Sequence, residues 1–240
     1  STSISHNHIV SDNAADLWKS AISLVSGEGE DIDPIVSRTS PSKGLRTREV
    51  RGVTLVLTRP DARYIVSDVR PLNTAFCIGN FLYFLGNSRG LAALQYYNPQ
   101  AEKFSDDGEI LHGAYGPRLD QQLRYISHLL VKDPTSRLAV ATIFGPEIDH
   151  TIESKDIPCP IGLQLFIRNE TLEIHVMFRS QNLAMVFPND IFLFTMIQEW
   201  IATHLELRMG QYIQYTTSLH YYSHEEPLVD AILKSRPSSI

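Results

Sequence analysis

The sequence is poor in cysteine, has no long apolar run and carries no excess of positive charge. Its two cysteines, Cys77 and Cys159, are too few for a disulfide framework, which predicts a protein of the reducing cytoplasm. No apolar stretch approaches the ~20 residues that span a bilayer, and the first residues lack the basic-then-apolar pattern of a secretion signal. We therefore expect no membrane partner.

The charge balance limits the class of ligand. Lys and Arg number 21 against 27 Asp and Glu, which gives a formal net charge of −6. General binding to DNA or RNA needs many phosphate-neutralising cations, so a nucleic-acid partner is not expected. One small phosphorylated ligand needs only a few well-placed arginines. The sequence shows neither a glycine-rich phosphate loop nor metal-ligand spacing, and no metal site is predicted.

Hydrophobic periodicity predicts one α+β domain over residues 1–240, with a mobile segment at 1–10. Asp12 or Asn13 is suited to cap the first helix, which Gly27 and Gly29 end. Further helices are predicted at residues 74–85, 91–96, 119–130 and 190–205. Strands are predicted at residues 53–57, 62–66, 138–143, 161–168, 172–179 and 211–215, with a hairpin at 169–171.

Cys159 lies between two prolines immediately before a predicted strand, which fixes its backbone at a strand edge. Arg179 ends the next strand of the hairpin and could approach the sulfur, where a guanidinium favours the nucleophilic thiolate. The residues alone leave open the alternative that Cys159 is a structural residue, because a lone cysteine is more often a small buried hydrophobic side chain. Cys77 has no such context and is expected in the core.

Three further segments carry polar groups that could hold a nucleotide. Arg179 and Ser180 combine a guanidinium with a hydroxyl, a pair suited to a phosphate, although a solvated strand end is the ordinary interpretation. His220 and Tyr222 lie two apart on one face of a strand, where they could bind a sugar hydroxyl or simply pack. Arg137 falls in a helix-to-strand turn and would by default be exposed.

Taken in order, these segments resemble the thymidylate synthase superfamily, and in character the cytidylate hydroxymethylases within it. The resemblance is continuous over about half of the chain, and it rests on residues 115–118, 120–130, 133–137, 158–159, 178–180, 187–191 and 210–223. It implies a mixed or antiparallel sheet flanked by helices, with one sheet face forming a homodimer interface. It also implies attack by C5 of a pyrimidine nucleotide on the one-carbon unit of 5,10-methylenetetrahydrofolate.

The resemblance assigns a role to each matching residue. Cys159 corresponds to the nucleophile that adds to C6 of the base, which divides one difficult step into two easier ones. Tyr115 corresponds to a tyrosine beside the base and this cysteine. The remaining matches hold the nucleotide: Arg179 and Ser180 at the phosphate, Arg137 at the phosphate from the other subunit, His220 and Tyr222 at the sugar 3′-hydroxyl, and Lys43 or Arg46 as a flexible phosphate ligand.

Asp190 departs from the thymidylate synthases, which have asparagine there, and agrees with the cytidylate hydroxymethylases. A carboxylate accepts from the amino group of cytosine, and a protonated carboxyl can also donate to N3. Against uracil O4 the same carboxylate would oppose two acceptors, at a cost of about 1–3 kcal/mol. The alternative is that Asp190 only stabilises the amino-terminal end of its helix.

Other departures bear on the reaction. Pro160 replaces the histidine that follows the nucleophile, and Leu138 replaces a second phosphate arginine. Asn80 falls where the family has a glutamate that assists proton transfer, which an amide cannot do at neutral pH. The 18 residues after Tyr222 do not match the family's long folate-closing tail, and an open site favours quenching by water over reduction.

The predicted function is therefore 5-hydroxymethylation of CMP or dCMP by a homodimeric, folate-dependent transferase. Two alternatives stay open at this stage. The first is reductive methylation of a uridylate or related pyrimidine. The second, suggested by Asn80 and Leu138, is a nucleotide-binding homologue that has lost turnover.

Overall fold

The computed structural model describes residues 2–5, 7–33 and 45–240. Its α-helices are α1 (Ala14–Glu28), α2 (Thr74–Leu85), α3 (Leu91–Gln95), α4 (Tyr115–Lys132), α5 (Pro146–Asp149), α6 (Phe187–His204) and α7 (Glu226–Lys234). Its strands are β1 (Ser3–Ser5), β2 (His8–Ser11), β3 (Glu30–Ile32), β4 (Thr47–Leu57), β5 (Ile65–Val66), β6 (Val140–Thr142), β7 (Pro160–Arg168), β8 (Thr171–Phe178), β9 (Gln181–Asn182), β10 (Arg208–Tyr222) and β11 (Ser238–Ser239). Short 3₁₀ helices cover Pro99–Phe104 and Ser223–Glu225.

Among the described residues, one large sheet has the strand order β1-β2-β4-β10-β8-β7-β6, with β3 on β4 and β9 on β10. Strand β10 pairs antiparallel with β4 but parallel with β8 and β9. The hairpin of β7 and β8 is antiparallel. The mixed sheet with flanking helices confirms the predicted α+β class. No helix in the described ranges has the length and apolar character needed to cross a lipid bilayer.

Helices α1, α4 and α6 contribute to one continuous core with the inner face of the sheet. The alternation along β8 puts Ile174 and Val176 into this core and leaves His175 on the opposite face. There His175 lies between Phe166 and Tyr215, with ring centroids 5.1 and 5.9 Å away. The sheet face opposite the core therefore carries a half-exposed aromatic row of Phe166, His175 and Tyr215.

Element boundaries follow the sequence most closely where periodicity and caps agree. Asn13, not Asp12, caps α1, since its side chain accepts from the backbone N–H of Asp16. Helix α2 covers the predicted residues, and Pro188 occupies the first turn of α6, where a backbone N–H has no partner within the helix. The long, largely apolar α6 is buried.

The strands differ more, because pairing partners extend them beyond their apolar centres. Strand β4 begins at Thr47 and β10 ends at Tyr222, and these polar extensions pair with each other. Of the strand predicted at residues 62–66, only Ile65 and Val66 form a strand, and they pair with β11. The prediction that residues 1–10 are mobile is wrong for residues 8–10, because they belong to β2, which pairs with β4, and Ile9 is fully buried.

Candidate active site

A cleft of about 770 Å³ opens where β7 begins and where β8 and β10 end. Five of the residues singled out in the sequence line it together: Cys159, Arg179, Ser180, His220 and Tyr222. They come from two segments of the β7–β8 hairpin and from the carboxyl end of β10, so the sheet alone brings them together. The cleft is large enough for a nucleotide and a second ligand.

The hairpin positions Arg179 against Cys159. Pro160 pairs with Phe178, so the residues just beyond the ladder face each other, and the Arg179 N–H donates to the Cys159 carbonyl over 2.9 Å. The guanidinium donates through Nε to the Pro158 carbonyl (2.9 Å), and its Nη2 lies 4.0 Å from the Cys159 Sγ. The approach of guanidinium to sulfur expected from the sequence is therefore present.

Burial nevertheless has the largest effect on the pKa of the Cys159 thiol. It raises the pKa of Cys159 above its ordinary value; Arg179 opposes this shift, while the carboxylates of Asp190 and Asp156 add to it. The free protein therefore holds Cys159 as a thiol at neutral pH, and Arg179 is the neighbour that favours the thiolate.

The short link between β8 and β9 presents Arg179 and Ser180 to the cleft. Phe178 pairs with Thr216 and Gln181 pairs with Leu219, so both ends of the link are fixed to β10. A guanidinium and a hydroxyl held in this way suit a phosphate.

His220 and Tyr222 lie side by side at the carboxyl end of β10, with ring centroids 5.3 Å apart. Burial lowers the pKa of His220, so its imidazole is neutral at pH 7 and can either donate or accept a hydrogen bond. The pair presents a neutral polar edge to the cleft, which fits a sugar hydroxyl better than a charged group.

Asp190 lies in the first turn of α6 and is only 8% exposed. Its Oδ2 accepts from Gln181 Nε2 over 2.9 Å, and α6 has no side-chain cap at its amino-terminal residue Val186. The contacts described for Asp190 thus include a hydrogen bond from Gln181 in addition to its place in the first turn of α6. Burial raises the pKa of Asp190 to about 7, against which the Gln181 hydrogen bond acts only in part. The carboxyl lies directly behind Gln181, which lines the cleft.

Tyr115 begins α4, and its ring stacks on Phe194 with centroids 5.9 Å apart. Burial raises the pKa of its hydroxyl well above the ordinary value, and the negative charges of Asp190 and Cys159 raise it further. Tyr115 therefore remains protonated and lies near both groups, behind the lining of the cleft.

The remaining predicted residues lie outside the cleft. Asn80 is half-buried on α2 and does not line it. Arg137 is exposed in the turn before β6. Arg46 is 52% exposed at its side chain and is engaged by Asp31 and Asp33 at 3.1 and 3.4 Å. Lys43 lies outside the described residues.

The structure also adds polar residues that the sequence did not single out. Asn182 Nδ2 donates to Glu225 Oε2 over 2.8 Å, and the same oxygen accepts from the Tyr222 N–H, which braces the end of β10. Asp156, three residues before Cys159, accepts from the Gly113 N–H over 2.7 Å. Gln181 follows the Arg179-Ser180 pair directly, and that adjacency was the available signal for it.

Comparison with known proteins finds a matching family model and several related proteins. The family model described as thymidylate synthase matches residues 38–240. The chain is 31% identical over 223 residues to the deoxyuridylate hydroxymethyltransferase of Bacillus phage SP01, covering 86% of this chain and 56% of that protein. It is 30% identical over 200 residues to the protein of the same name from Delftia phage PhiW-14, covering 78% of this chain and 56% of the relative.

An archaeal relative matches over more of its own length. The chain is 23% identical over 228 residues to a putative thymidylate synthase of Methanosarcina mazei, and the match covers 92% of each protein. By contrast, the chain spans little more than half the length of the two phage relatives.

Proposed function

Because the chain belongs to the thymidylate synthase family, we propose that it hydroxymethylates C5 of a cytidine monophosphate, CMP or dCMP. The carbon donor in this proposal is 5,10-methylenetetrahydrofolate, the folate that the family uses. The coarser assignment, one-carbon transfer to a pyrimidine nucleotide, is common to the family. The observation that carries the finer one is the buried carboxyl of Asp190, which raises the pKa of the nearby Cys159 thiol and accepts a hydrogen bond from Gln181.

Cys159 begins the reaction in this proposal. Its thiolate adds to C6 of the base, which makes C5 a nucleophile for the incoming carbon. C5 would bond to the methylene carbon and lose its proton, and tetrahydrofolate would leave as the bond from that carbon to the folate nitrogen breaks. Addition of water to the exocyclic carbon and expulsion of the cysteine would then give the hydroxymethyl product. No hydride is transferred, so the reaction needs no reductant. The folate supplies the methylene group at the oxidation level of formaldehyde.

The cleft fits a flat heteroaromatic ring beside the nucleotide. Phe104, Phe144, Ile157 and Val186 line it together with Cys159, and apolar side chains of this kind suit ring stacking. Arg179 and Ser180 would hold the phosphate, with His220 and Tyr222 at the sugar. Tyr115, kept protonated by burial, would serve as a hydrogen-bond donor near C5.

Asp190 is the proposed reader of the base. With a pKa of about 7 it can be neutral at physiological pH, and a neutral carboxyl carries one donor and one acceptor. The cytosine edge offers an acceptor at N3 beside an amino donor, which such a pair can match.

Deoxyuridylate hydroxymethylation is the second candidate. Its support is the name that the two phage relatives carry, and a neutral carboxyl with its proton on the other oxygen would match the uracil edge. Reductive methylation of a uridylate would require a reductant and a dry site.

Incubation with each of CMP, dCMP, UMP and dUMP, together with formaldehyde and tetrahydrofolate, tests the proposal by mass spectrometry. We expect a cytidylate product heavier by one hydroxymethyl group. Asp190→Asn should shift the preference toward uracil, because an amide can match the uracil edge in the way expected of the thymidylate synthases. A methylated uridylate, with no cytidylate product, would contradict the proposal.

Tritium release from C5 of a labelled nucleotide separates an enzyme from a binding protein. We expect release from the wild type and none from Cys159→Ala, which should still bind nucleotide. A wild type that binds but never releases tritium would favour the homologue without turnover.

We place Arg137 at the phosphate of a second subunit. In a single chain this arginine is exposed, away from the cleft, and the half-exposed aromatic row on the outer sheet face offers a surface for a two-fold partner. The homodimer is part of the proposal.

A further inference from the structure

A chain of buried hydrogen bonds runs from β10 to Asp190. The Tyr212 hydroxyl donates to Gln214 Oε1 over 2.7 Å, and Gln214 Nε2 approaches Gln181 Oε1 at 3.4 Å. Gln181 Nε2 then donates to Asp190 Oδ2 over 2.9 Å. Tyr212 and Gln214 are fully buried and Gln181 is 1% exposed, so water does not compete for these groups.

The chain has a direction, because an amide is a donor at one end and an acceptor at the other. Thr216 Oγ1 also accepts from Gln214 Nε2, over 2.9 Å, which supports the same orientation of that amide. Reversing Gln214 alone would bring two oxygens together at the contact between the amides, and reversing Gln181 alone would bring two NH2 groups together there. An unpaired or opposed polar group at a buried site is costly, so the two amides are oriented together.

This direction distinguishes the two oxygens of Asp190. Since Oδ2 already accepts from Gln181, the proton of the neutral carboxyl is favoured on Oδ1. The carboxyl then presents its donor and its acceptor in one fixed order rather than in two interchangeable ones.

The order matters because the two pyrimidine edges are reversed copies of each other. Cytosine presents an acceptor at N3 beside an amino donor, whereas uracil presents an N3–H donor beside the O4 acceptor. A nucleotide held in one orientation by its phosphate and its sugar meets an ordered carboxyl with one edge matched and the other opposed.

We propose that Gln181, oriented by Gln214 and Tyr212, is a specificity-determining residue that fixes the order of donor and acceptor on Asp190 and so sets discrimination between cytosine and uracil. The inference rests on the proposed function, in which Asp190 faces the base. Gln181 lines the cleft in front of Asp190, and in this proposal it acts as a positioning residue, through the order that it fixes on the Asp190 carboxyl. Its backbone already pairs with Leu219, so the side-chain amide is not needed to hold β9 in the sheet.

Gln181→Met tests this, since it keeps the length of the side chain but removes both the donor and the acceptor. We expect the ratio of kcat/KM between the preferred and the disfavoured base, with dCMP and dUMP, to fall about tenfold toward unity, as for one mispaired buried hydrogen bond. Gln214→Met should act in the same direction, because it frees the Gln181 amide to reverse.

Gln198→Met is the matched control. Gln198 is another fully buried glutamine, but its Nε2 donates to the carbonyls of Leu172 and Gly210, outside the cleft. This variant should lose stability without any change in base preference. A ratio in Gln181→Met equal to that of Gln198→Met would overturn the inference.

Binding preference is measured in parallel by the shift in melting temperature with dCMP and dUMP, which requires no turnover. Loss of binding preference in Gln181→Met, with the preference of Gln198→Met unchanged, supports the inference even without turnover. A wild type that forms no hydroxymethyl product would refute only the proposed function. A preference unchanged by Gln181→Met refutes the inference and leaves the reaction assignment standing.

Discussion

At the scale of single residues, Asp190 shows how burial changes what a carboxyl offers a ligand. Its folded pKa of about 7 lies well above the ordinary value of 3.8, so the folded state holds a proton that the unfolded chain has lost between these limits. The contribution of Asp190 to the free energy of unfolding therefore falls as pH rises from about 4 to about 7, and it is constant above that.

We therefore expect Asp190→Asn to gain stability relative to the wild type as pH rises through this window. The difference in the free energy of unfolding should change by on the order of 4 kcal/mol between pH 4 and 8. Urea denaturation of both proteins at each pH measures it. A difference that does not vary with pH would show that Asp190 is ionised in the folded protein.

The groups around Asp190 do not mask this effect. Cys159, Tyr115 and Tyr212 have raised pKa values and stay neutral throughout. His220 has a lowered pKa, so it adds stability with rising pH, but it does so in both proteins and cancels in the comparison.

The sequence predicted the proximity of those site residues that a single hairpin or a single strand brings together. Cys159 and Arg179 are joined by a hairpin, and His220 and Tyr222 by the two-residue period of a strand. The partner of Asp190 was not predictable, because Gln181, Gln214 and Tyr212 meet it only after β9, β10 and α6 have packed. Likewise, the engagement of Arg46 by Asp31 depends on the pairing of β3 with β4.

At the scale of elements, the loop before α4 holds the segment that carries Cys159, the proposed nucleophile. The Gly113 N–H donates to the Asp156 carboxylate, and a Cβ at Gly113 would lie 2.5 Å from the backbone oxygen of Asp156. Only glycine allows this approach, since backbone atoms cannot move aside as a flexible side chain can.

Gly113→Ala should push residues 156–159 away from their present position. We expect a loss of kcat of about 100-fold, the size typical of a displacement near 1 Å, and a destabilisation of about 1–3 kcal/mol from overpacking. Steady-state kinetics and thermal unfolding measure the two effects. Gly27→Ala is the control, because a Cβ at Gly27 would meet nothing within 4 Å and Ala favours the helix.

Helices were predicted better than strands for a physical reason. The apolar spacing and cap of α1 and the apolar run of α2 are properties of the segments themselves. The polar ends of β4 and β10 are extended only because each supplies the other with backbone hydrogen bonds. Short strands such as β9 consist of two residues and have no pattern of their own.

At the scale of the whole molecule, the proposal predicts that a complete site needs two chains. Arg137→Ala should weaken nucleotide binding, and Cys159→Ala should abolish turnover. In a mixed dimer, one site regains an intact cysteine from one chain and an intact arginine from the other.

Mixing the two variants after reversible unfolding should therefore restore up to about a quarter of the wild-type activity at low nucleotide concentration. Light scattering establishes that the mixture is dimeric. A folded, dimeric mixture without recovered activity would show that Arg137 does not act across the dimer, and a monomer with full activity would show that the site needs no partner.

The anchoring of both ends of the Arg179–Ser180 link to a single strand has an evolutionary consequence. Inserting or deleting a residue there would break the pairing of β10 with β8 or β9, so the proposed phosphate site is hard to remodel by changing loop length. Side chains behind the link can be exchanged without moving it. On the proposed assignment, point substitutions behind the link would change which pyrimidine base is preferred. The link that holds the phosphate would keep its geometry through such changes.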